Sequence, residues 1–174
     1  EAQAKIYQDP IIAIASDHGF FTIENRVHLN SAFVDAGLIT LDDKAPNGVS
    51  DWRAFAWYVG GMAMVVLKDP NNAAHRAEVD AFLTNLARRR DAGIARIYKA
   101  DELRGRGLSE QAQYVIALKD GHHMGSDMTG PLLRPYKGGA HGAFTGLETR
   151  TEMHSAFIIT GKGIAAGQQL GTID

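Results

Sequence analysis

The chain has 174 residues, 45% of them apolar, which is enough for one domain with its own hydrophobic core. Eighteen basic against twenty acidic residues leave a formal charge of -2, so no net field draws in a polymeric nucleic acid or an anionic membrane surface. The absence of cysteine excludes disulfides, thiolate metal sites and cysteine nucleophiles without fixing a compartment, and no apolar run reaches the roughly 18 residues of a membrane span. The start, Glu1-Ala-Gln-Ala-Lys5, has no initiator Met and does not read as a signal peptide, so the chain reads as a processed product or an excised piece.

Ile11 to Ser16 is a continuous apolar run, the pattern of a strand covered on both faces. Residues 23 to 36 suggest a helix with Thr22 as N-cap and Gly37 as its stop. Residues 42 to 51, rich in Asp, Pro, Asn and Gly, read as an exposed loop. Two strand-like runs, Trp52 to Val59 and Met62 to Leu67, flank Gly60-Gly61 and predict a hairpin. Trp52, Phe55 and Trp57 within it are expected to pack in the core or on a sheet face.

Asp69-Pro-Asn-Asn72 should cap a helix running to about Arg90, with Val79, Phe82, Leu83 and Leu86 as its buried stripe. Arg88 to Arg90 then favour the helix dipole at its end. Ile94 to Tyr98 is a strand candidate, 101 to 108 a short helix or turn, and Tyr114 to Leu118 another strand. Residues 121 to 150, glycine-rich and without period, read as a long functional loop. Met153 to Thr160 is the last strand, and Leu170 to Asp174 looks like the start of another element. The alternation predicts a layered α/β domain over residues 1–174, with a mostly parallel sheet flanked by helices plus the β-hairpin, and with both ends cut through a larger fold.

In open α/β sheets ligands collect at the carboxyl ends of strands. Asp17 and His18 stand there, and a carboxylate beside an imidazole suits a dication such as Zn²⁺. The same pair also reads as an aspartate capping the next turn beside an exposed histidine. The dipeptide alone leaves both open.

Ser16-Asp-His-Gly-Phe20 after an apolar strand resembles the metal motif of the alkaline phosphatase superfamily, closest to its nucleotide pyrophosphatase/type I phosphodiesterase branch. A second block, Gly139-Ala-His-Gly142 followed by Met153-His-Ser-Ala-Phe-Ile-Ile-Thr-Gly161, resembles the same branch, in the same order. Leu29 to Leu38, Ile97 to Leu103 and Ala112 to Leu118 resemble it between the blocks, so the likeness covers about residues 10 to 174.

The resemblance implies an alkaline phosphatase-like fold, in part, and a two-zinc centre. Asp17 and His18 would ligate one zinc and His141 the other, for cleavage of a phosphodiester or phosphate ester, nucleotides being one substrate class. In family order an aspartate, a Thr or Ser nucleophile and an Asp-x-x-x-His pair precede the first block. Only sixteen residues precede Asp17 here, and no Asp-x-x-x-His occurs in the chain. The expectation is therefore the C-terminal part of a catalytic domain, inactive alone, whose cut edges favour a homodimer. A periplasmic or secreted location follows from the same resemblance.

Sulfatase, phosphonate hydrolase or phosphoglycerate mutase chemistry stays open within the superfamily, as does a non-catalytic α/β binding domain. Other basic residues have weaker claims. His122 and His123 read as a solvated loop, or as facing the mouth of a site. His154 reads as a hydrogen-bonded structural residue. Arg134, Lys137 and Arg150 are surface groups that could steer a phosphate. His28 and His75 are expected on helices, without a role.

Overall fold

The computed structural model describes residues 9–105, 107–144 and 151–171. In chain order it contains β1 (Ile11–Ala15), β2 (Phe21–Val27), α1 (Leu29–Asp35), β3 (Ile39–Leu41), β4 (Val49–Trp52), β5 (Ala54–Val59), β6 (Met62–Leu67), α2 (Ala73–Arg88), β7 (Ile94–Lys99), α3 (Ala100–Leu103), β8 (Tyr114–Leu118), β9 (Gly121–Met124), β10 (Leu133–Ala140) and β11 (Phe157–Gly161). The α/β mixture is as expected, but the sheet is not mostly parallel. Four small sheets form, β1-β11, β10-β2-β9, β3-β4 and β5-β6-β8-β7. Among the described residues only β2 and β9 run parallel. The two-residue joint Gly60-Gly61 reverses the chain and imposes antiparallel pairing on β5 and β6, whereas parallel strands need long crossovers.

The hairpin forms with Ala54 opposite Leu67 and Val59 opposite Met62, around the expected two-glycine turn. Its second strand continues into β8 and β7, and Val65 and Ile116 are fully buried there. Helix α2 closes this core with Val79, Leu83 and Leu86. Its start is fixed by Asn72, whose side-chain oxygen accepts from the backbone N–H groups of Ala74 and His75, both at 3.1 Å.

The expected helix over 23 to 36 is half strand. Phe21, Ile23 and Val27 are buried while Thr22 and Glu24 are exposed, a period of two that serves a strand paired on both edges. Only Leu29–Asp35 is helical, and Gly37, at φ +70°, ends it as expected. His28 therefore precedes the helix rather than riding on it. It is buried, and its Nδ1 accepts from the Asp127 backbone N–H at 3.1 Å. Next to it, buried Asn30 donates to the Ala56 carbonyl at 3.0 Å and accepts from the Ala56 N–H at 2.8 Å, so a side chain completes the outer edge of β5.

Two further expectations give way. Residues 121 to 140 are not a loop, since β9 and β10 flank β2 on either side. The glycines there serve turns and a bulge at Pro135 to Gly138 instead. β1 is not covered on both faces either. It pairs only with β11, and Ile14 and Ile158, directly opposite one another, are 63% and 61% exposed. Among the described residues no helix is long and apolar enough to cross a membrane.

Candidate functional site

The loop after β1 is braced by the segment before β11. Ser16 N–H donates to the Ala156 carbonyl, Gly19 N–H to Met153 and Phe20 N–H to Glu152, at 2.9, 3.0 and 3.0 Å. Ser155 Oγ donates to the Asp17 carbonyl at 3.0 Å, and Ala156 N–H to Ser16 Oγ at 2.7 Å. A Cβ on Gly19 would fall 1.8 Å from the Glu152 carbonyl oxygen, so only glycine allows this approach. The two motif blocks, distant in sequence, are thus one structural unit.

Within it the Asp17 and His18 side chains are held together. The His18 N–H donates to Asp17 Oδ1 at 3.0 Å. His18 Nδ1 lies 2.9 Å from the Gly19 carbonyl, which can only accept, so Nδ1 is the donor of that pair. Nε2 lies 3.3 Å from Asp17 Oδ2. Two ligands of one tetrahedral zinc, each bound at about 2.0–2.1 Å, stand about 3.4 Å apart. This pair therefore has the donor types and the spacing of two ligands of one ion. The Asp17 carboxylate is 86% exposed and free to bind outward.

His141 joins them from the turn after β10. Its ring stacks on that of His18, centroids 4.2 Å apart and planes 22° from parallel, while Phe20 sets its edge toward both, at 5.3 and 5.9 Å. The turn is held by the hairpin tip, since Gly61 N–H donates to the His141 carbonyl at 3.1 Å. His18 thus stands against both Asp17 and His141. Among the described residues no group of three His, Asp or Glu side chains is placed to hold a single ion.

Nearby, His123 is half-buried and its proton affinity is lowered, first by burial and then by the charges of Arg26 and His141. His122 turns away and holds the Asp120 carbonyl through Nδ1 at 2.8 Å. Burial and Lys119 lower its pKa. Arg134 does not stand free: it is bound to Asp127 and to the Thr129 carbonyl. Lys137 is an exposed residue of β10. His154 lies in the exposed brace, its N–H donating to the Thr151 carbonyl at 3.1 Å. His75 receives the cap at the start of α2. Arg150 lies outside the described residues. Trp52 packs edge-on against Phe55 at 6.2 Å, whereas Trp57 is exposed. Sequence reasoning missed Phe20 as a ring partner and the hairpin tip as the support of His141. Phe20 was visible as the last residue of its motif, but nothing in the sequence links Gly60 to residue 141.

No family model matches the chain, and no curated protein matches it in sequence. Among solved structures, it is similar to human ectonucleotide pyrophosphatase/phosphodiesterase 5, with 18% identity and a TM-score of 0.51 over 91% of the chain. The murine protein of the same name gives 17% identity and the same TM-score over the same share. The chain spans about a third of their length, 35% in each case. The chain has the fold of part of a nucleotide pyrophosphatase/phosphodiesterase, the family its two motif blocks resemble.

Proposed function

We propose that the chain is part of a two-zinc hydrolase of phosphodiesters or phosphate esters, with Asp17 and His18 holding one ion and His141 contributing to the other. The observation that carries this reading is that His18 stands against both other residues, with its Nε2 3.3 Å from Asp17 Oδ2 and its ring stacked on that of His141. On this reading a two-ion centre divides these donors two and one.

Bound zinc would supply charge for the transferring phosphoryl group and an acidified oxygen ligand. The protein's own residues orient the donors. The Gly19 carbonyl accepts from His18 Nδ1, the His18 amide steadies the Asp17 carboxylate, and Phe20 shields the stacked imidazoles on one side. On this reading the residues form one part of a larger catalytic domain. The nucleophile and remaining ligands come from outside these 174 residues, the chain alone turns over little, and the parent is periplasmic or extracellular.

The test has two arms. Zinc or cobalt titration of the chain should show binding that His18→Ala and His141→Ala each weaken by tenfold or more, on the order of a lost ligand. The intact parent should cleave bis(p-nitrophenyl) phosphate with zinc and lose that activity in His18→Ala. Zinc bound but neither this diester nor p-nitrophenyl phosphate cleaved would favour sulfate, phosphonate or mutase chemistry. Neither zinc binding nor turnover would favour a binding domain that keeps the scaffold.

A further inference from the structure

His141 stands at the crest of a short arch. Before it, Ala140 is buried and pairs with Phe21 at the end of β10. After it, Gly142 has φ +80°, and a Cβ there would fall 2.8 Å from the Val59 carbonyl oxygen, so the chain turns hard against the hairpin tip. Ala143 packs beside Phe21, and Phe144 then reaches the face of β5-β6-β8-β7 that lies away from α2. Alternation makes that face: Tyr114, Ile116 and Leu118 of β8 join the core under α2, while Val115 and Ala117 point the other way. Phe144 is seated on the cluster of Tyr98, Leu103, Val115 and Ala117, in T-shaped contact with the Tyr98 ring, centroids 4.9 Å apart. The Tyr98 ring is fixed in turn by the Arg96 guanidinium, 4.3 Å from its centroid, which Glu102 holds at 2.6 Å.

From crest to seat the chain reaches at most about 10–11 Å, even fully extended. The imidazole therefore cannot move far while the Phe144 ring keeps its place. Asp17 and His18 are held otherwise, by the hydrogen bonds from residues 152 to 156 at the end of the β1-β11 ribbon. The two parts of the candidate centre thus hang from different units, and the 4.2 Å stacking of His18 on His141 is where those units register.

We propose that Phe144 is a positioning residue for the candidate centre. Its seat on the antiparallel sheet fixes the arch, and so sets where the His141 imidazole meets His18. The donor for the second ion is then placed by β6, β7, β8 and α3, and the donors for the first by the ribbon. This rests on the metal reading for its meaning, but the geometry it claims is read without metal.

The first arm is NMR of the histidine side chains of the whole chain, with chelator present. Phe144→Ala should abolish the nuclear Overhauser contact between the His18 and His141 rings. Phe144→Leu, which keeps the seat partly filled, should retain part of it. Leu86→Ala, buried on α2, is the control: it should lower stability and leave the contact intact. The second arm is zinc or cobalt titration. Phe144→Ala should weaken binding about tenfold, as the loss of a group that orients a ligand does. In a His141→Ala background it should have no further effect, because it acts only through that residue. Wild-type ring contact in a folded Phe144→Ala variant, or in Phe144→Leu where the alanine variant does not fold, overturns the proposal. So does an equal loss of contact in Leu86→Ala, or an undiminished effect of Phe144→Ala on zinc affinity in the His141→Ala background. Ring contact that depends on Phe144 in a chain that takes up no zinc would sink the metal reading and leave the arch standing. Zinc uptake that His18→Ala and His141→Ala weaken, with ring contact indifferent to Phe144, would sink this proposal alone.

Discussion

Gly60→Ala tests how His141 is held. Gly60 has φ +60°, and an added Cβ would lie 1.6 Å from the His141 carbonyl oxygen and 2.7 Å from its carbonyl carbon. Side-chain carbons do not approach other atoms within 3.0 Å, so the His141 turn would have to retreat by about 1.4 Å. That movement breaks the 3.1 Å bond from Gly61 N–H to the His141 carbonyl. Left-handed backbone at a non-glycine residue costs about 1–2 kcal/mol, and the lost hydrogen bond about 0.5–1.5 kcal/mol. The expected total of about 1.5–3.5 kcal/mol lowers Tm by roughly 3–14 °C for a chain of this size. Gly37→Ala is the control: its φ is +70°, but nothing lies within 4 Å of the new Cβ, so it should show the backbone cost alone. Both variants are compared by chemical denaturation, and the His18 and His141 ring signals are followed by NMR. If Gly60→Ala is no more destabilising than Gly37→Ala, or leaves the His141 signals in place, the hairpin tip does not position that residue.

Asn30→Leu removes both side-chain bonds to Ala56 and leaves a buried donor and acceptor unmet. Urea denaturation should show a loss of about 2–4 kcal/mol, and a loss under about 0.5 kcal/mol would mean that water or a shifted β5 replaces the bonds. His28, His122 and His123 all have pKa values held below the ordinary 6.5, chiefly by burial. The unfolded chain therefore binds more protons than the folded one as pH falls through about 6.5, and stability is lost in that direction. Tm should decline from about pH 7.5 to 5, and less steeply in His28→Gln; a flat profile would contradict the burial argument. Finally, the exposed apolar face of β1 and β11 should drive self-association in sedimentation experiments. Ile14→Lys combined with Ile158→Lys should relieve it at little cost in stability, and a wild-type monomer at all concentrations would refute this.

Much of the scaffold was legible because local chemistry decided it. The Gly60-Gly61 joint, the Asn72 cap and the buried stripe of α2 depend on neighbours a few residues apart, and each formed as expected. Residues 21 to 27 failed because alternation and helical spacing coincide over so short a run, and pairing with β9 and β10 decided between them. β9 and β10 escaped notice for the same reason: glycine and histidine have little strand preference, and only a partner strand makes them one. Asp17, His18 and His141 were singled out through motif resemblance rather than pattern, and what the structure adds is the contact of His18 with each of the other two. The seat of Phe144 was not legible, since β6, β7, β8 and α3 build it together.

The β1-β11 ribbon has a consequence for how ligand and stability are coupled. None of its residues is fully buried, so it should open at far lower free energy than Val65 or Ile116 at the core of the antiparallel sheet. Asp17 and His18 hang from its end, which ties the candidate centre to a unit far less protected than the core. Any ion bound there stabilises that unit by mass action and leaves the core where it was. Hydrogen exchange should therefore report occupancy at the amides of Ile11 to Ala15, while whole-molecule melting stays almost silent.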